Sequence, residues 1–174
     1  MQFDHYPQFF TATILEWKPL LLNDAYKQII IDSMKFLVDE ERVFIYAFVI
    51  MPNHIHIIWQ IRNGHQVSKV QQSFLKYTAQ RIKAHLQEHD KELLGEFRVD
   101  AADRQYQFWE RNPLSVDLFT DKVFEQKLNY IHENPIQKNW KLCTYPEQYP
   151  WSTAAYYYKG FDKFGFITHC DGNQ

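Results

Sequence analysis

Two apolar, β-branched runs stand almost back to back in this chain: Val43–Ile50 and His54–Ile61, with only Met51-Pro52-Asn53 between them. Three residues are too few for a crossover, so the runs most simply pair as an antiparallel hairpin. Side chains two apart on a strand share a face, which sends Ile55 and Ile57 one way and His54 and His56 the other. An imidazole on an apolar strand is costly to leave without a partner. Two of them side by side can grip one metal ion together. Two ligands are too few for a structural zinc site and suit an open one, completed by a further protein ligand, water and a substrate oxygen. A pair of half-buried histidines in a polar sheet face is the alternative that spacing alone leaves open.

Around the hairpin the chain alternates. Phe9 to Trp17 is aromatic and β-branched and reads as a first strand. Asn23 or Asp24 caps a helix to about Val38, with Tyr26, Ile29, Ile30, Met34 and Leu37 as its apolar stripe. After Asn63-Gly64 a long helix spans about Ser68 to His89, carrying Val70, Phe74, Tyr77, Ile82 and Leu86. Leu94 to Gln105 is polar and reads as a connection. Tyr106 to Trp109 opens a strand that resumes near Val116 to Phe119, past Asn112-Pro113. A last helix starts near Asp121, and Pro135 ends it because the residue before proline is pushed out of αR. The order βαββαβ plus a helix predicts an α+β fold, a ferredoxin-like (RRM-like) antiparallel sheet with helices on one face and a C-terminal tyrosine-bearing helix. If the crossover helices leave the histidine face bare, that last helix can lie across it.

On the last helix Phe124, Leu128 and Ile131 form the core stripe. Val123, Lys127, Tyr130 and Asn134 form the adjoining row, so Tyr130 sits at the margin of the buried face. Tyr130 and Asn134 are neighbours one turn apart, a phenol that could attack and an amide that could ligate. Each also has an ordinary explanation: Tyr130 is one of 11 tyrosines, Asn134 precedes a proline, and Lys127 suits a solvated surface. His132 falls on the far side of the helix and is not counted as a ligand. The closing aromatic run, including Tyr156-Tyr157-Tyr158, reads as packing under the sheet, with base stacking as the alternative.

At 174 residues the chain is read as one domain, 1–174, with a core of about 8–135 and an extension of 136–174. With 45% apolar residues and few Gly or Pro, it has the makings of a real core. Cys143 and Cys170 show no metal spacing. No apolar run is long enough to span a membrane, and Met1 to His5 lacks the pattern of a signal peptide, which together predict a cytoplasmic protein. The net charge of −2 is unevenly spread: Arg62, Lys69, Lys76, Arg81 and Lys83 fall between Ile61 and His85 with no acid among them. Such a stretch offers a local surface for phosphate, or an ordinary solvated helix face.

Four pieces together resemble the single-tyrosine HUH transposases of insertion sequences, and most closely their REP-associated tyrosine transposase branch. They are Tyr46-Ala47-Phe48-Val49-Ile50-Met51-Pro52-Asn53-His54-Ile55-His56, then Phe108-Trp109, then Tyr130-Ile131-His132-Glu133-Asn134-Pro135, and Tyr145-Pro146-Glu147-Gln148-Tyr149-Pro150-Trp151-Ser152. The resemblance implies a nuclease that binds single-stranded or hairpin DNA, often at the foot of the hairpin, and acts in DNA transposition. It implies His54 and His56 as ligands of Mg²⁺ or Mn²⁺, Tyr130 as the nucleophile that forms a 5′-phosphotyrosine, and Asn134 where relatives carry a polar ligand, often Gln. Phosphate contacts would fall to Arg62, Lys69, Lys76, Arg81, Lys83 and Lys127, and the protein would be nucleoid-associated. Relatives occur as dimers that exchange tyrosine helices or, in this branch, as monomers; the long segment Lys138 to Gln174 favours the monomer over the homodimer. One departure is Ile136-Gln137-Lys138-Asn139-Trp140, where the branch often carries a Gly-containing segment. A non-catalytic, domesticated nucleic-acid-binding protein of the same fold is the competing reading. A histidine-triad phosphoesterase would need a third alternate histidine where Ile58 stands.

Overall fold

The structure, a computed structural model, describes residues 4–171; residues 1–3, part of the stretch read for a signal peptide, and residues 172–174 of the extension lie outside them. The elements are β1 (Gln8–Thr13), α1 (Asp24–Asp39), β2 (Val43–Ile50), β3 (His54–Ile61), α2 (Val67–His89), α3 (Lys91–Gly95), β4 (Arg98–Ala101), β5 (Arg104–Tyr106), β6 (Leu114–Asp117), α4 (Asp121–Glu133) and α5 (Ala154–Lys159). The main sheet runs β2-β3-β1-β6, with every neighbouring pair antiparallel. That is the ferredoxin-like arrangement expected from the element order.

The strand period of two divides the hydrophobic residues between two layers. Phe10, Ala12, Ile14, Ile55, Ile57 and Trp59 face α1 and α2, whose Tyr26, Ile30, Met34, Phe74, Ile82 and Leu86 complete the larger cluster. Phe9, Ala47, Val49, Met51 and Ile58 face the other way, against Ile131, Val123, Phe124 and Leu128 of α4. The tyrosine-bearing helix therefore covers the sheet face that the crossover helices leave bare. Helix starts follow their caps: Asn23 accepts from the Ala25 amide at α1, and Thr120 accepts from the Val123 amide at α4.

Several local expectations are corrected. β1 stops at Thr13, and Leu15–Trp17 instead forms a 3₁₀ turn. Tyr77 is half exposed; the buried position on that turn of α2 is Thr78, whose hydroxyl bonds the Phe74 carbonyl and accepts from Trp109 Nε1 at 3.0 Å. The Leu94–Gln105 stretch is no bare connection. Asp90 caps α3, Leu94 and Phe97 are buried anchors, and β4 and β5 pair as a hairpin. The strand expected at Tyr106–Trp109 ends at Tyr106. Trp109 makes one bridge to Ile14, and Asn112, at φ 58°, turns the chain before β6 begins. Asn134 keeps αR dihedrals (φ −53°, ψ −46°) although Pro135 follows, because α4 ends by tightening into a 3₁₀ turn over Asn134–Ile136.

The backbone of the C-terminal aromatic segment lies along the free edge of β2, while Tyr149, Trp151 and Tyr157 pack into the cluster on the α4 face of the sheet, as expected of an aromatic run. The Ile50 amide donates to the Trp151 carbonyl at 2.8 Å, the Thr168 amide to the Ile45 carbonyl at 2.8 Å, and the Tyr157 hydroxyl to the Tyr46 carbonyl at 2.9 Å. An edge strand offers unpaired backbone groups, and this segment satisfies those of β2. Among the described residues no helix is long and apolar enough to cross a membrane.

Candidate functional site

His54 and His56 sit next to each other on β3, nearly buried, with ring centroids 4.8 Å apart. Each has its Nδ1 engaged. His54 Nδ1 lies 2.7 Å from Asn53 Oδ1, an acceptor, so this nitrogen donates. His56 Nδ1 lies 2.7 Å from the hydroxyl of Thr11, its cross-strand partner on β1. A proton on Nδ1 leaves the Nε2 lone pair of His54 free, and the Thr11 hydroxyl, able to accept, allows the same tautomer at His56. His56 Nε2 is buried without a hydrogen-bond partner, and so is Oδ1 of the buried Asn134.

Burial sets the charge of the pair. It pushes His54 down to about 4, opposed by the neighbouring Asn134 amide. It pushes His56 down to about 3, reinforced by His54 and by the charge of Lys127. Both imidazoles are neutral at pH 7, the state in which they can ligate a cation.

Tyr130 stands beside them on α4, 41% exposed, with its ring edge-on to His56 at 5.2 Å and to Phe9 at 6.0 Å. Lys127, one turn earlier, places its ammonium 4.7 Å from the Phe9 ring centroid and 5.7 Å from that of Tyr130. Tyr130 meets His56 of its own chain. His132 turns away into the core, where its Nε2 lies 3.0 Å from the Thr153 hydroxyl and burial pushes it down to about 4. The departing segment after Asn134 makes a compact turn, in which the Trp140 amide donates to the Gln137 carbonyl at 2.9 Å, and brings the Trp140 ring to 5.8 Å from His54.

The structure thus gathers His54, His56, Tyr130, Asn134 and Lys127. It does not bring the other cations there. Arg62 follows the far end of β3, paired with Glu41 at 3.5 Å and stacked on Phe44. Lys69, Lys76, Arg81 and Lys83 lie on α2, across the sheet from α4. Lys76 and Lys83 line a cleft of about 860 Å³ between α2 and residues 103–113, which also holds Arg104, Arg111 and Trp109. Thr11, Asn53, Phe9 and Trp140 belong to the site and were not singled out from sequence. Asn53 stands in the Met51-Pro52-Asn53-His54 motif and Trp140 in the departing segment, but neither position by itself signals a contact with His54.

A ferredoxin-like sheet whose open face carries two neutral imidazoles beneath a tyrosine-bearing helix is the frame into which the comparisons with known proteins fit. Residues 13–100, just over half of the chain, match the family described as Transposase IS200 like, and the protein belongs to that family of DNA-processing transposases. The matched stretch includes His54 and His56 and ends before Tyr130. Among solved structures, the chain is similar to a REP-associated tyrosine transposase bound to a REP hairpin, at 18% identity and a TM-score of 0.66, over 100% of this chain and 94% of that one. A candidate transposase from Deinococcus radiodurans R1 is similar at 14% identity and a TM-score of 0.49, over 74% of this chain and 88% of that one. No curated protein matches the chain.

Proposed function

We propose that this transposase cuts and rejoins single-stranded DNA beside a hairpin, with a divalent cation and with Tyr130 as nucleophile. The observation that carries the reading is a pair of buried polar atoms without partners, His56 Nε2 and Asn134 Oδ1, beside His54 and Tyr130. A buried acceptor left alone is destabilising, and a cation held by His54, His56 and Asn134 would satisfy both atoms. Two imidazole nitrogens and one amide oxygen fit Mg²⁺ or Mn²⁺ completed by water and phosphate oxygens. When bound, such an ion supplies charge stabilisation at a phosphate oxygen.

The protein's own groups do the rest. Tyr130 Oη forms a bond to phosphorus as the bond from phosphorus to the 3′-oxygen breaks, and the phenolic proton is balanced by protonation of the leaving 3′-oxygen. The products are a 5′-phosphotyrosine and a free 3′-hydroxyl, which can reverse the step without a nucleotide cofactor. Lys127 sets a positive charge beside the phenol, where anionic phosphate must approach. Asn53 holds His54 in the ligating tautomer, and the Thr11 hydroxyl orients the His56 ring and can accept from its Nδ1. The hairpin partner is supported by the similar transposase solved on a REP hairpin. The cations of α2 would hold a remote part of the DNA, since they lie across the sheet from Tyr130. A DNA partner of this kind would bring the protein to the nucleoid.

The test is a denaturing gel of the protein with end-labelled hairpin DNA from its own genomic flanks, with and without Mn²⁺. A metal-dependent covalent band, lost in Tyr130→Phe while DNA binding persists, is the expected result. Binding that gives no band with any metal and survives His54→Ala would instead identify a non-catalytic DNA-binding protein.

A further inference from the structure

Trp17 is an exposed indole presented by a backbone bent against its own preference. Its residue is 62% exposed, yet Glu16 and Trp17 are consecutive non-glycine residues at left-handed φ, 55° and 57°. L-residues enter that region rarely, and they stay there when their surroundings over-determine the conformation. Here they do. The Trp17 amide donates to the Ile14 carbonyl at 2.9 Å, and the Glu16 amide donates to the Glu110 carboxylate at 2.6 Å. Asn53 Nδ2 donates to the Trp17 carbonyl at 3.3 Å. The same Asn53 accepts from His54 Nδ1 through its Oδ1, so one amide fixes both the turn and the ligating histidine. The Trp17 ring then stands 6.2 Å from the His54 ring, at 65° to it, while Trp140 approaches His54 at 5.8 Å.

The strain of this turn is not returned as burial, because the indole faces solvent at the rim of the site. A large aromatic face presented by a fixed backbone turn beside the candidate site has the chemistry to stack an unpaired nucleobase. Every base has a π face, and stacking of this kind tolerates sequence variation.

We propose that Trp17 is a stacking platform for one unpaired DNA base next to the scissile phosphate, so that the turn at Glu16-Trp17 positions the strand that His54, His56 and Tyr130 act on. This rests on the single-stranded DNA reading of the site. Trp17 is a positioning residue: stacking the base restrains the adjoining phosphate, which shortens the search for the attacking geometry.

The test scans a single-stranded hairpin oligonucleotide, placing one abasic nucleotide or one 2-aminopurine at each position on either side of the hairpin foot. Binding is measured for the wild type, Trp17→Ala and Trp17→Phe. Trp17→Ala should weaken binding on the order of tenfold to a hundredfold, and Trp17→Phe should retain most of the affinity. At one position the abasic substitution should cost the wild type the same factor and cost Trp17→Ala nothing further. 2-Aminopurine there should be quenched by the wild type and not by Trp17→Ala. Mn²⁺ affinity should be equal in wild type and Trp17→Ala, which separates stacking from a disturbance of His54 through Asn53. Losses that add independently at every position overturn the platform and leave the DNA-binding reading standing. A wild-type protein that binds none of the oligonucleotides overturns both.

Discussion

At the residue scale, three histidines are buried in the neutral form. His56 Nε2 has no hydrogen-bond partner, whereas His132 spends its Nε2 on Thr153 and packs its ring against Tyr157 at 5.1 Å. Burial lowers all three folded pKa values, to about 4, about 3 and about 4. The sign of the linkage follows. Between those values and the unfolded value near 6.5 the unfolded chain binds more protons, so stability rises with pH. The stabilisation is complete above about pH 6.5 and is lost as the pH falls toward 4; for His132 alone it is roughly 3 kcal/mol. Urea unfolding of the metal-free protein at pH 7.5 and pH 4.5 should show a marked loss of stability in acid, and His132→Gln should flatten part of that slope. A slope identical in the variant would mean that His132 is not neutral because of its burial.

At the element scale, α4 and α2 serve opposite faces of one sheet. α4 delivers Tyr130 and Lys127, with Asn134 in the 3₁₀ turn that ends it, and α2 carries Lys69, Lys76, Arg81 and Lys83. Under the proposed function these duties separate in experiment. Lys76→Ala combined with Lys83→Ala should weaken hairpin binding and lower the slope of log affinity against log salt by roughly 1–2, since each neutralised phosphate contributes somewhat less than one. The rate of adduct formation on saturated protein should be unchanged, as neither lysine approaches Tyr130. Binding isotherms at several salt concentrations and a single-turnover time course check the two halves of this expectation.

For the whole molecule, the tail and the site are connected. The segment that seals the β2 edge also clamps α4 from behind: Thr153 bonds the β2 backbone at Phe48, with the Phe48 amide donating to its hydroxyl at 3.1 Å, and the same hydroxyl lies beside His132. Tyr149 adds a buried bond to the Ile50 carbonyl at 2.7 Å. Through His132 these bonds anchor α4, on which Tyr130 stands edge-on to His56. If each copy completes its own site, mixing Tyr130→Phe with His56→Ala should restore no covalent adduct. Recovery of the band in the mixture would show tyrosine helices exchanged between copies.

Much of this was determined by the sequence itself. The bounds of β2 and β3, the shared face of His54 and His56, the neighbouring places of Tyr130 and Asn134 and the βαββαβ order all follow from periods of 2.0 and 3.6 residues, which are properties of adjacent side chains. Tertiary structure alone decided that α4 crosses the histidine face, that Thr11 meets His56 and Asn53 meets His54, and that burial holds both imidazoles neutral. It also placed the α2 cations far from Tyr130 and set Trp17 and Trp140 about His54. Each of these depends on strand register or on the way one element crosses another, between residues as distant as Trp17 and Trp140. Local periodicity carries no information about contacts of that kind, whereas the packing of two layers against one sheet leaves little freedom in them.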